Sequence, residues 1–329
     1  MRNQWRLETS NVISMKSMKA IYCLTALLVA CVVNVNAQNK GKAKAAEESF
    51  KPQGAVVEAY KTVGEAKLNA YIFNPPEHKA TDKRPAIVFF FGGGWRSGSP
   101  KQFEQQCRYL ASRGMVAITA DYRVSSRFDV KAKDCVIDAK DAVRWTRENA
   151  KRLGIDPERI AAGGGSAGGH IAACTGVVPG FESKDAKVSS VPNALVLFNP
   201  ALVLAPYEGG SPLPGERAEE LKVRMGVEPK ELSPLHQVKK GAPPTIIFHG
   251  KADTTVPYAT AEAFTKVMKA AGNECELKGY EEQPHGFFNF GRANEVHFKQ
   301  TLTETDKFLT KLGWLKGEPK VESFRFAVR

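Results

Sequence analysis

From residue 55 onward, apolar runs alternate with amphipathic stretches, and that alternation sets the fold class. Pro85-Ala86-Ile87-Val88-Phe89-Phe90-Phe91 is almost continuously apolar, the pattern of a strand buried on both faces inside a parallel sheet. Shorter apolar runs follow at Met115–Ala120, Arg159–Ala162, Ala194–Phe198 and Thr245–His249. Ala55–Tyr60 and Ala66–Phe73 read as a leading hairpin pair, and Glu276–Tyr280 as a last short strand. Between these lie segments with apolar residues at helical spacing: Gln102–Arg113, Val130–Leu153, Tyr258–Ala271 and Glu295–Leu312. Strands alternating with helices predict an α/β fold with a mostly parallel, doubly wound sheet and helices on both faces. Residues 200–242 break the rhythm; they are rich in Pro and Gly, with one helical piece near Glu216–Met225. They predict a short insertion over the carboxyl edge of the strands, where ligands bind in such sheets.

The first 54 residues belong to another pattern. Arg2, Arg6, Lys16 and Lys19 precede an apolar run from Ala20 to Val33, and Val35-Asn36-Ala37 has the small-residue form of a cleavage site. This predicts a signal peptide over 1–37 and a secreted or periplasmic protein, the apolar run being too short to span a bilayer as an integral segment. Leu28-Val29-Ala30-Cys31 also resembles a bacterial lipoprotein box, so a lipid anchor at Cys31 is the alternative. Residues 38–54 are polar and lysine-rich and predict a flexible lead-in.

Composition narrows the classes. With 329 residues and 43% hydrophobic content, one large domain with an ample core is expected. The formal charge is +12; the four basic residues of the first 37, against Glu8, carry +3 of it and leave +9. The lysines are scattered, without a recognition helix or basic–aromatic interleaving, so nucleic acid is not an expected partner. Attraction to acidic surfaces or polysaccharides is. Cys107, Cys135, Cys174 and Cys275 lack metal-like spacing; export leaves one disulfide among them open, with Cys135 and Cys174, in apolar helical patterns, read as buried thiols by default. No metal or cofactor is implied.

The chemistry concentrates at Gly164-Gly165-Ser166-Ala167-Gly168. G-x-S-x-G between a buried strand and the helical pattern opening at His170 is a nucleophile elbow, a sharp turn that exposes a serine hydroxyl and needs small neighbours. Gly163, Gly165 and Gly168 also spell G-x-G-x-x-G, but the dinucleotide fingerprint belongs to the first βαβ unit and this stretch lies mid-chain. A serine needs a base, and the base an orienting carboxylate. Asp253 and His285 follow Ser166 in the chain order Ser–Asp–His, each in a loop after a buried strand. Asp253 as a helix N-cap stands four residues early; Glu281 and Glu282 lie beside the histidine's own strand; His170 lies on the helix after the serine; His78, His236 and His297 lack a partner motif. Oxyanion donors are expected from the Ala167 amide and from Phe91-Gly92-Gly93-Gly94-Trp95, three glycines directly after a buried strand.

On these residues, together with Asp121-Tyr122-Arg123, the chain resembles the α/β-hydrolase superfamily in its H-G-G-G esterase group, over residues 55–315. It looks most like small bacterial esterases acting on acetyl or feruloyl groups of carbohydrates. The resemblance implies Ser166 as nucleophile, His285 as base, Asp253 as its orienter, and the amides of Gly93, Gly94 and Ala167 as oxyanion hole. Two positions depart from the pattern: Phe91 stands where the group carries histidine, and Gly165 where an acidic residue often precedes the serine. Asp121-Tyr122-Arg123 would shape the floor of the site or form a surface ion pair. Trp95 is offered as a sugar platform, with core packing as the alternative. Too little chain precedes the first strands for a helical cap, so an open site for short acyl groups on bulky alcohols is expected, with 316–329 as a tail. A prolyl-oligopeptidase-like peptidase and a carbohydrate-binding pseudoenzyme are the alternative functions.

Overall fold

The computed structural model describes residues 50–183, 186–208, 210 and 218–326. The expected signal peptide, the alternative lipid-anchor position Cys31 and most of the expected lead-in lie outside the described residues. Eight strands form one sheet: β1 (Val56–Val63), β2 (Ala66–Phe73), β3 (Arg84–Phe90), β4 (Val116–Ala120), β5 (Ile155–Gly165), β6 (Ala194–Phe198), β7 (Thr245–Gly250) and β8 (Cys275–Tyr280). Their spatial order is β1-β2-β4-β3-β5-β6-β7-β8. β2 pairs antiparallel with both β1 and β4, and every later pairing is parallel. The chain steps from β3 to β4 on one side and returns to β5 on the other, which makes the carboxyl ends of β3 and β5 a switch point where such sheets bind ligands.

The apolar runs explain the layers. Successive strand side chains point to opposite faces, and Ala86, Val88 and Phe90 of β3 join one core while Ile87 and Phe89 join the other. The first core is closed by α2 (Ala132–Glu148), α3 (Ala167–Val177) and α6 (Tyr258–Ala270); the second by α1 (Glu104–Ser112) and α7 (Val296–Lys311). β5 starts at Ile155, earlier than its apolar run, because Arg84 opposite Ile155 continues the pairing with β3 across an irregularity between Arg84 and Ala86. The 200–242 insertion contains α4 (Ala218–Met225) and α5 (Pro234–Gln237). Leu202, Val203, Leu204 and Leu232 bury it against the first core.

Residues at both ends of the domain are packed more firmly than their polar composition suggests. Phe50 lies 4.8 Å from the Tyr71 ring. In the segment expected to trail as a tail, Val321 is buried, Phe324 meets the Tyr109 ring edge-on at 5.5 Å, and the Lys320 N–H donates to Tyr109 Oη at 2.9 Å.

Candidate active site

Every sequence-predicted reactive residue follows a strand at the same sheet edge. Ser166 is the single residue between β5 and α3, with φ 54° and ψ −120°. An L-residue there costs about 1–3 kcal/mol and persists only where its surroundings enforce it. The Ser166 N–H donates to the Phe198 carbonyl at 2.8 Å, and its own carbonyl accepts from the His170 N–H at 2.9 Å. The turn packs too tightly for side chains: a Cβ on Gly168 would lie 2.1 Å from the Phe90 carbonyl, and one on Gly165 2.5 Å from Phe288 Cζ. Phe288 thus fills the space that an acidic residue before the serine would need.

His285 Nε2 accepts from Ser166 Oγ at 2.9 Å, and its Nδ1–H donates to Asp253 Oδ2 at 2.7 Å. Asp253 is buried, whereas the His285 side chain keeps 25% exposure, so the site is open to solvent on the histidine side. Burial works against the Asp253 charge, but hydrogen bonds with His249 and His285 and from the Val256 N–H outweigh it and hold the carboxyl well below the usual range. Asp253 Oδ1 accepts from the N–H groups of Thr255 and Val256, both at 2.9 Å. An ionised carboxylate fixed this way keeps the proton on His285 Nδ1 and leaves Nε2 free to take one.

Two residues of this network escaped sequence reasoning. Asn199, directly after β6, donates from Nδ2 to Asp253 Oδ2 at 2.8 Å. His249, in β7, donates from Nε2 to the Val256 carbonyl at 2.8 Å and lies 3.4 Å from Asp253 Oδ2. Position after a strand end was the available signal for Asn199; a buried His249 reads as core in any pattern.

The glycine loop lies against the elbow, since a Cβ on Gly92 would stand 3.2 Å from Ser166 Cβ. Gly93 has φ 130°, and a Cβ there would meet the Ser97 carbonyl at 2.0 Å, so only glycine fits. The N–H groups of Gly93 and Gly94 bond to no backbone carbonyl among the described residues. Ala167 opens α3, whose first turn has no side-chain cap, so its amide stands at a positive helix end.

Trp95 is 4% exposed. Its Nε1–H donates to His170 Nδ1 at 3.0 Å. The sugar-platform reading is therefore corrected: the ring is packed inside and presents no face to a ligand. His170 in turn donates from Nε2 to the Leu232 carbonyl at 2.8 Å, and burial lowers its imidazole to about 4. Asp121 and Tyr122 are buried too, which removes the surface-ion-pair alternative. Tyr122 Oη donates to the Phe91 carbonyl at 2.7 Å and its ring stacks on Phe91 at 4.2 Å.

Among the described residues no group of three or more His, Cys, Asp or Glu could hold a metal ion, and no helix is long and apolar enough to cross a membrane. The four cysteines of the domain are buried thiols.

A serine on a strained strand-to-helix turn, followed along one sheet edge by a carboxylate and the histidine it holds, defines an α/β-hydrolase esterase architecture. A solved structure supports the class: esterase 2 of Thermogutta terrifontis with propionate bound is 51% identical, with a TM-score of 0.78 and coverage of 83% of this chain and 99% of that one. The BD-FAE family model matches residues 71–268, and the chain belongs to this family. Esterase LipQ of Mycobacterium tuberculosis (strain ATCC 25618 / H37Rv) is 28% identical over 249 residues, 72% of this chain and 58% of LipQ. A protein named endo-1,4-beta-xylanase B from Butyrivibrio fibrisolvens is 26% identical over 266 residues, 76% of this chain and 38% of that protein. The chain thus spans 58% of the length of LipQ and less of the xylanase.

Proposed function

We propose that this protein is a serine carboxylesterase for short-chain acyl esters of carbohydrates, exported by residues 1–37. The observation that carries the reading is the continuous chain from Asp253 Oδ2 through His285 to Ser166 Oγ, with links of 2.7 and 2.9 Å. Ser166 Oγ attacks the ester carbonyl as its proton passes to His285 Nε2. The resulting oxyanion is met by the amides of Gly93, Gly94 and Ala167, and the Asp253 carboxylate stabilises the imidazolium. Collapse breaks the bond to the alcohol, which takes the proton from His285. Water, activated by His285, then releases the acid from Ser166. The propionate in the Thermogutta relative supports a short acyl group, and the name of the xylanase relative supports a plant-polysaccharide setting.

The test is hydrolysis of nitrophenyl esters from acetate to laurate by wild type and Ser166→Ala, followed by acetylated xylan and feruloyl sugars. Activity that falls with chain length and disappears in the variant is expected. A wild type that turns over no ester refutes the reading; peptide hydrolysis would then point to a peptidase, and sugar binding without turnover to a pseudoenzyme.

A further inference from the structure

We infer that a cleft of about 510 Å³ between the glycine loop and the turn after His285 is the alcohol-side subsite, and that it selects sugar alcohols bearing a carboxylate, such as uronic-acid residues. The inference rests on the esterase reading and adds the substrate class.

Position comes first. Gly92 lines the cleft and also abuts Ser166, where its Cβ would stand 3.2 Å from Ser166 Cβ. Asn289 lines the opposite wall and donates from Nδ2 to the carbonyl of Gly286, the residue after His285, at 2.8 Å. The leaving alcohol takes its proton from His285 Nε2, so it must lie on the His285 side of the acyl carbon. One wall of the cleft is the turn that follows this histidine. The volume falls within the range of small-molecule sites, about 300–1,000 Å³.

The lining gives the chemistry. Lys101 and Arg292 stand at the cleft as exposed cations, and neither side chain has an ion-pair partner among the described residues. No Asp or Glu lines it. The amides of Gln102 and Asn289 and the partly buried ring of Phe290 complete a surface suited to a hydroxylated ring with one anionic group. The formal charge of +9 that remains without residues 1–37 adds long-range attraction for an acidic polymer.

The experiment compares kcat/KM for an acetylated methyl hexuronoside, the matching acetylated methyl hexoside and O-acetyl lactate, with nitrophenyl acetate as the control for esterase activity. For two exposed ion pairs the uronoside should be preferred over the hexoside by about 10-fold at low salt. That preference should decay toward unity between about 0.02 M and about 0.5 M salt. Lys101→Ala and Arg292→Ala should each lower the ratio, and the double variant should bring it to about one. A wild-type ratio near one, or a ratio the double variant leaves intact, overturns the subsite. O-acetyl lactate turned over as well as the uronoside overturns the requirement for a ring; slower turnover supports it. Failure on nitrophenyl acetate itself overturns the esterase reading rather than the subsite.

Discussion

Gln102 joins the two loops on which the proposed chemistry depends, and its replacement gives the sharpest test of how the site is held. Gln102 Oε1 accepts from the Gly92 N–H at 2.6 Å, its Nε2 donates to Asn289 Oδ1 at 2.9 Å, and Asn289 Nδ2 donates to the Gly286 carbonyl at 2.8 Å. This bridge fixes the glycine loop, the proposed source of oxyanion donors, against the loop that carries the proposed base His285. Gln102→Leu removes two hydrogen bonds, each worth about 1 kcal/mol net, so unfolding free energy should fall by about 2 kcal/mol. For a domain of this size that lowers Tm by about 3 °C. If the bridge also sets the spacing of donors and base, kcat should fall by about 10- to 100-fold. That is less than the full loss of one oxyanion donor, which costs about 10²–10³, because the loop is loosened and not cut.

Gln102→Glu separates the two roles. Its carboxylate can still accept from Gly92 but opposes Asn289 Oδ1. Asn289 restores that contact only by turning its amide, which withdraws Nδ2 from Gly286. The link to the histidine loop breaks in either arrangement while the glycine loop keeps its partner. On nitrophenyl acetate both variants should lose kcat with KM within about 2-fold of wild type. Adding Asn289→Ala to Gln102→Glu should cost little more, since the bridge acts as a unit. A kcat within about 2-fold of wild type in both variants, alongside a lowered Tm, would refute the positioning role and leave the bridge as structure alone.

Ser166→Gly should abolish turnover yet raise Tm by about 2 °C, because glycine adopts φ 54° without strain; an unchanged or lower Tm in thermal unfolding would show that the serine's backbone is not strained. Asp253→Asn should lower kcat by about 10⁴, since it replaces the acceptor-only carboxylate that fixes the His285 tautomer with an amide that can also donate. The Asp253 carboxyl is depressed on folding, so its contribution to stability is present above the unfolded value near pH 4 and is lost as pH falls through the folded one. The Tm gap between wild type and this variant should therefore hold from about pH 7 to pH 5 and narrow only at lower pH. Burial depresses His170 from 6.5 to about 4, so the unfolded chain binds the extra proton first, and stability should fall by up to about 3 kcal/mol as pH drops through that window. Denaturant unfolding of His170→Gln should show a flatter pH dependence; equal slopes would remove His170 as the titrating group.

The fold class was legible because a parallel sheet buried on both faces must spell its strands as unbroken apolar runs, as at Ala86–Phe90. The reactive serine was legible for a similar reason: a turn with φ 54° in which Cβ atoms at Gly165 and Gly168 would collide leaves few sequences to choose from. Chain order and loop position then pointed to Asp253 and His285, which the structure brings within hydrogen-bond reach of one another, with His285 also within reach of Ser166. Residues that act by reaching across long sequence separations were not legible. Gln102 and Asn289 are 187 positions apart, and neither carries a local signature. Trp95 went wrong in the other direction. An aromatic beside a glycine loop has the same local pattern whether it faces solvent or core, and here the distant acceptor His170 decided for the core.

The loss of the motif histidine before the glycines raises the question of what steadies the loop instead. Phe91 cannot donate or accept through its side chain, yet its ring stacks on Tyr122 and its carbonyl accepts from Tyr122 Oη at 2.7 Å. Gly92 is tied through Gln102, on the 3₁₀ turn Pro100–Phe103, and Trp95 through His170 on α3. These ties come from three separate elements and grip the loop before, at and after its glycines. Each of the proposed donors Gly93 and Gly94 therefore lies between fixed points, and one substituted side chain leaves two anchors in place. A loop held this way does not need the histidine, so its absence at position 91 is no argument against a formed oxyanion site. The φ of 130° at Gly93 needs no anchor of its own, because glycine adopts it freely.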